Sequence, residues 1–162
     1  MLGKSQFSYV DEVSTPADLT ITGDMVFFGR PIGPEVVIRD FANEAEANPG
    51  IQIMGQVFVV TQPLKGEFEA LPQVTVIRTH LVDATTQPQP PFSHLLYLLA
   101  VRSTEDSFGL RAWYTIAGPS GRIPFDQSAS GELVSVVESQ GNEIQGRLAG
   151  MTEEQVIEAI RA

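Results

Sequence analysis

Imidazole chemistry in this chain is limited to two residues, His80 and His94, and thiol chemistry is excluded because there is no cysteine. His80 and Asp83 form an H-x-x-D pair, the closest approach to a metal motif. On an extended strand, residues three apart point to opposite faces, so the pair could share an ion only around a bend. A catalytic metal centre also draws on three protein ligands of this class. No metal and no cofactor is therefore expected. Without cysteine, neither a thiolate zinc site nor a disulfide framework can form.

Serine chemistry fares no better. GPSGR, Gly118 to Arg122, has Arg122 where the last glycine of a nucleophile elbow belongs, and RIPFDQSASG is a poor start for the helix that an elbow requires. Gly118, Pro119, Ser120 and Gly121 read as a turn. Gly29, Gly33 and Gly50 match neither a Walker loop nor a dinucleotide fingerprint. Glu67 and Glu69 share one side of an extended chain and could shift each other's pKa, but a solvated edge accounts for them. The chain is expected not to be an enzyme.

Charge narrows the partners. Twenty acidic residues against ten basic ones give a net charge of -10, and the cations Lys4, Arg30, Arg39, Lys65 and Arg78 occur singly. Phosphate backbones are bound by clustered Lys and Arg, so direct nucleic-acid binding is not expected. MLGKSQFSYVDEV lacks the apolar core of a secretory leader, and no stretch reaches the roughly 18 apolar residues of a membrane span. The hydrophobic fraction of 43% and charged fraction of 19% are those of a folded domain.

Turn signals divide the chain into an extended N-terminal arm at 1–17, bearing Phe7 and Tyr9, a β domain at 18–149, and a docking helix at 150–162. DLTITGDMVFFG alternates at Leu19 and Ile21 and reads as a strand. GRPIGP reads as an irregular loop leading into EVVIRDF, and ANEAEANPG as at most two helical turns. GIQIMGQVFVVTQP alternates Ile51, Ile53, Val57 and Val59 around Gly55, which suggests a bulge or close backbone approach. Val74 and Val76 alternate with Gln73 and Thr75. ELVSVVES and EIQGRL, joined by QGN, suggest a last hairpin. These segments predict a mainly β protein, an antiparallel sandwich or barrel of about eight strands. In MTEEQVIEAIRA, Thr152 and Gln155 form a capping box and Met151 and Val156 a hydrophobic staple, so Val156, Ile157 and Ile160 must dock on something.

The longest apolar run is Leu95 to Val101, just after QPQPPF. It is short and precedes another β-like segment, which favours a strand over a helix. With STEDS as a hairpin loop, Leu96 would face Tyr114 and Tyr97 would face Trp113. One side then holds Leu96, Leu98, Ala100, Leu110, Ala112, Tyr114 and Ile116. The other holds Leu95, Tyr97, Leu99, Val101, Arg111 and Trp113. A sheet apolar on both sides must cover both, and aromatic residues with arginine are enriched at interfaces. The second row is thus either the floor of an internal layer or a surface for another subunit.

Two functions are expected from these features. The first is a structural or interaction subunit of a larger homo-oligomeric assembly, whose partners are copies of itself or other subunits. In its narrower form this is a virion component such as a capsid-decorating, connector or tail protein. The alternative is a small-molecule-binding or enzymatic β-barrel with His80, Asp83, His94 or Tyr114 near its mouth.

Overall fold

The computed structural model describes residues 13–40, 50–67, 73–103 and 113–161. Phe7, Tyr9, Leu110, Arg111, Ala112 and the ANEAEANP segment lie outside them. Seven strands occur among the described residues: β1 (Met25–Asp40), β2 (Ile51–Lys65), β3 (Gln73–Leu81), β4 (Leu96–Ser103), β5 (Trp113–Thr115), β6 (Arg122–Gln127) and β7 (Leu133–Ser135). The first five close into a barrel in the order β1-β2-β3-β5-β4, because β1 also pairs with β4. The strand neighbours β4-β1-β2-β3 are those of a Greek key. The architecture is a closed five-stranded barrel with two outer strands, rather than a sandwich. β3 and β5 are its parallel pair.

Several local expectations are corrected. Ala17–Thr22 is a helix, α1, not a strand. Asp18 turns its carboxylate to the N–H groups of Ser14 and Thr15, at 2.9 and 3.0 Å. Those bonds, Ser14's first, hold its pKa below the usual value. Leu19 is buried and Ile21 is 72% exposed, the divergence expected of residues two apart on a helix. GRPIGP does not end a strand: β1 runs through it, with a register break between Ile32 and Val36. Pro31, Gly33 and Pro34 are tolerated on the side of β1 that leaves the barrel, where β4 pairs only with Met25–Gly29.

EIQGRL is a helix, α2 (Glu143–Leu148), instead of a hairpin strand. Asn142 Oδ1 accepts from the Gln145 N–H at 2.9 Å, and Ile144 and Leu148, four residues apart, bury the same side. The last hairpin is β6 with β7. The C-terminal helix, α3 (Glu153–Arg161), has the predicted capping box. Thr152 N–H donates to Gln155 Oε1 at 2.9 Å, and Gln155 N–H donates to Thr152 Oγ1 at 3.3 Å. Val156 and Ile160 dock within the chain, in a cluster with Leu19, Phe28, Leu96, Leu98, Ile123, Phe125, Ile144 and Leu148. Ile157 packs on its margin. The three helices therefore cover one face of β1, β4 and β6.

The connection from β5 to β6 decides what enters the barrel. Val101 pairs with Thr115, and the Ile116 N–H still reaches the Ala100 carbonyl at 3.0 Å. The chain then detours through Ala117 and a 3-10 turn at Gly118–Gly121, with positive φ at Ala117 and Gly118. It rejoins the same edge of β4 with Arg122 opposite Leu99. On the β5 register that place would belong to Ala117, so the detour is five residues, an odd number. Side chains alternate with period two, so the odd detour inverts the facing of β6. Ile123 and Phe125 turn to the helices, and Arg122 turns inward beside Leu99. A β-carbon at Gly121 would lie 2.7 and 2.8 Å from the carbonyl oxygens of Ile116 and Ala100. Gly121→Ala is expected to cost roughly 1–3 kcal/mol through overpacking, read as a lower urea midpoint with an unchanged slope.

Candidate interaction surface

The aromatic row on β4 is internal. Tyr97, Leu99 and Val101 have no exposed surface. With Met25, Phe27, Phe58, Val60, Val74 and Val76 they fill the barrel, and Leu95 and Trp113 pack partly buried against the same cluster. The β4–β5 register differs from the hairpin expected: Ser103 faces Trp113 and Arg102 faces Tyr114. The slip is even-numbered, so among the described residues the predicted separation into two faces survives. Tyr97, Leu99, Val101, Val156 and Ile160 are covered by their own chain, the internal layer of the two alternatives, rather than a surface open to a partner.

Arg122 closes one end of the barrel. Its Nε is 2.5 Å from Glu138 Oε1, and its NH1 donates to the Pro90 carbonyl at 2.9 Å and to Gln89 Oε1 at 3.3 Å. The guanidinium lies 3.8 Å over the Phe92 ring. From β3, Arg78 forms a fork with Glu35 at 2.7 and 2.9 Å and donates to the Gln89 carbonyl at 3.3 Å. Proline has no N–H, so Gln87–Pro91 is rich in acceptors and poor in donors. Arginine, with five donors and no acceptor, supplies the complement. The clamped segment sets Phe92 edge-on to Phe58 and Tyr97, with centroids 4.8 and 5.2 Å apart.

Tyr97 O–H donates to Glu138 Oε2 at 2.8 Å and accepts from the Ser93 N–H at 3.1 Å. Burial raises its pKa above the ordinary 10.0, and the Glu138 charge raises it further. Tyr97 is thus held as a proton donor and is no general base at neutral pH. Beside it lies an open cleft of about 880 Å³, walled by Pro88, Pro90, Ser120, Glu138 and Asn142. Its principal polar groups are already bonded within the chain. Both Glu138 oxygens are engaged, and Asn142 caps α2 while its Nδ2 donates to Ser120 Oγ at 3.1 Å. The cleft is a seam of the fold.

His80 is half-buried at the end of β3, its Nδ1 3.4 Å from Arg78, and Asp83 lies in a left-handed bend beyond it. His94 is exposed ahead of β4. No group of three metal-ligating side chains occurs among the described residues, and no described helix is long and apolar enough to cross a membrane.

The face left over is on the outside of β1, β2 and β3. Phe58, Val60, Val74 and Val76 point into the barrel, so period two turns Ile51, Ile53, Val57 and Val59 outward, paired with Leu81, Thr79, Thr75 and Gln73. Ile77 lies opposite Gly55, where a β-carbon would collide with Ile38 Cδ1. The close approach expected at Gly55 is real, and Ile38 fills the notch. On β1, Ile32 pairs with Val57 and Val36 with Gly55, so both join the face, 40% and 54% exposed. The side chains that Ile51–Val59 and β3 turn to this side are uncharged. Arg30 and Arg39, opposite Val59 and Ile53, stand at its β1 margin. Glu35 is withdrawn to Arg78.

Comparison with protein-family models, curated proteins and solved structures finds no match for this chain.

Sequence reasoning saw the Ile51–Val59 alternation but could not tell which side faced solvent. It passed over Arg122, whose inward facing depends on the odd detour. Arg122→Ala leaves Glu138 as an uncompensated, largely buried charge and is expected to cost about 3–5 kcal/mol. Glu138→Gln added to Arg122→Ala should recover part of that loss in denaturant melts. Tyr97 has a folded-state pKa above the 10.0 of an unfolded tyrosine. Its contribution is complete below that value and is lost as pH rises through the folded-state one. Tyr97→Phe should flatten the alkaline decline in melting temperature.

Proposed function

We propose that this chain is a structural or interaction subunit of a larger assembly, docking through the outward face of β1, β2 and β3. One observation carries the reading: Phe58 and Val60 of β2 turn inward while Ile51, Ile53, Val57 and Val59 turn outward, and this outward side, together with Ile32 and Val36 of β1, is incompletely covered. A contiguous aliphatic face rimmed by polar residues is the usual mark of a protein contact. The narrower reading, a virion component, rests on the analogy of an acidic, cysteine-free β domain, and architecture alone does not fix function.

Five strands closed as a Greek key also resemble OB-folds, whose strand 2–3 face takes oligonucleotides or oligosaccharides. Binding of single-stranded nucleic acid uses stacking aromatics and a cationic groove. Here the corresponding face carries isoleucine, valine and threonine, with Arg30 and Arg39 at its β1 margin among the described residues. A protein surface suits it better. The small-molecule barrel is weakened as well, since Phe27, Phe58, Tyr97, Leu99 and Val101 fill the interior without exposed surface.

The tagged chain, expressed in its source and run on a native gradient, should sediment far above its 17.6 kDa. Val57→Glu should return it to the top with its melting temperature little changed. Sedimentation of the unaltered chain as a single 17.6 kDa protein would refute the reading.

A further inference from the structure

We infer that Gln89–Phe92 is a lid, closing a site at the end of the barrel that takes a planar aromatic ring bearing a carbonyl acceptor. The site lies outside the filled interior and is independent of the docking face. Phe92 holds it in the closed state. Its ring stands edge-to-face with Phe58 and Tyr97, with centroids 4.8 and 5.2 Å away, and lies 3.8 Å beneath the Arg122 guanidinium. The same guanidinium donates to the Pro90 carbonyl at 2.9 Å. Two aromatic walls, a cation over the ring and a donor beside it suit a ring with an acceptor next to it.

The fastenings determine how the lid releases. Residues 82–95 belong to no helix or strand, and side chains tie the lid to the barrel: Arg78 to the Gln89 carbonyl at 3.3 Å, Thr115 to Gln89 Oε1 at 3.2 Å, and Arg122 to Pro90. Both arginines keep their own carboxylates, Glu35 and Glu138, when the lid leaves. The lid's carbonyls pass to water. Opening therefore avoids the penalty of breaking a buried ion pair, and a segment outside the strand ladder can open below the free energy of global unfolding. Gln87 anchors the hinge side. Its amide spans the Leu81 N–H and carbonyl, each at 2.8 Å. Pro90 and Pro91, on the back of the lid, wall the open cleft, which gives a ligand its approach.

The lid is tested on the unaltered chain by amide hydrogen exchange in urea. The N–H groups of Phe92 and Ser93, the latter bonded to Tyr97 at 3.1 Å, should exchange through an opening whose urea slope is less than about half that of Leu99. Equal slopes mean that the segment opens only with the whole barrel, and overturn the lid. The site is tested with benzamide. Phe92→Ala vacates it without altering Arg122 or Tyr97, and should bind benzamide at least about tenfold more tightly than the unaltered chain, where the lid competes. Cyclohexanecarboxamide has the same acceptor and no aromatic ring. It should bind at least about tenfold more weakly than benzamide. If Phe92→Ala does not fold, Phe92→Leu takes its place with the same order of affinities expected. A folded variant whose Phe58 and Tyr97 resonances ignore benzamide, or that takes both amides equally, overturns the site.

Discussion

A strand with apolar side chains on both sides needs two covers, and the architecture follows from how each double-sided strand obtains them. β4 gets both from its own chain. Its Tyr97, Leu99 and Val101 side fills the barrel, and its Leu96, Leu98 and Ala100 side lies beneath the helices. β2 gets only one. Phe58 and Val60 reach the barrel interior, while Ile51, Ile53, Val57 and Val59 face outward with no helix packed over them among the described residues. Hydrophobic burial at roughly 25 cal/mol per Å² makes such a face costly to leave in water.

The barrel can hold so many aromatics because its end is closed by polar chemistry. An odd detour between β5 and β6 delivers Arg122 to the inner side of the sheet, where Glu138 neutralises it and the proline segment accepts its hydrogen bonds. Arg78 and Glu35 repeat the arrangement from β3. Buried ion pairs repay their desolvation only when the remaining donors are satisfied, and the acceptor-rich QPQPP segment satisfies them. The same pairing holds Glu35 to Arg78, away from the outward face.

Much of the fold was legible in the residues. Leu95 to Val101 was too short for a solitary helix and lay between β-like segments, so the strand and its two faces could be read. Thr152 and Gln155 announced α3. Other features were hidden for physical reasons. Alternation in β2 reveals two faces but not which one the barrel encloses, because closure depends on strand order. α2 was mistaken for a strand because QGN imitates a turn, although Asn142 with Ile144 and Leu148 carries a helical spacing. Pro31 and Pro34 suggested a loop because the sequence does not show that β1 has left the barrel by that point. The aromatic row was the natural candidate for an interface and lies inside the barrel, whereas the plainer isoleucine–valine alternation is partly exposed.

Whether the outward side of β2 and β3 is the docking surface can be read from methyl NMR spectra of the isolated and the assembled chain. The account predicts that the methyls of Ile53, Val57, Val59 and Ile77 shift or broaden on assembly, while those of Val60, Val74, Val76, Leu99 and Val101 keep their positions. Changes confined to the inward set, or spectra identical in the two states, would contradict it.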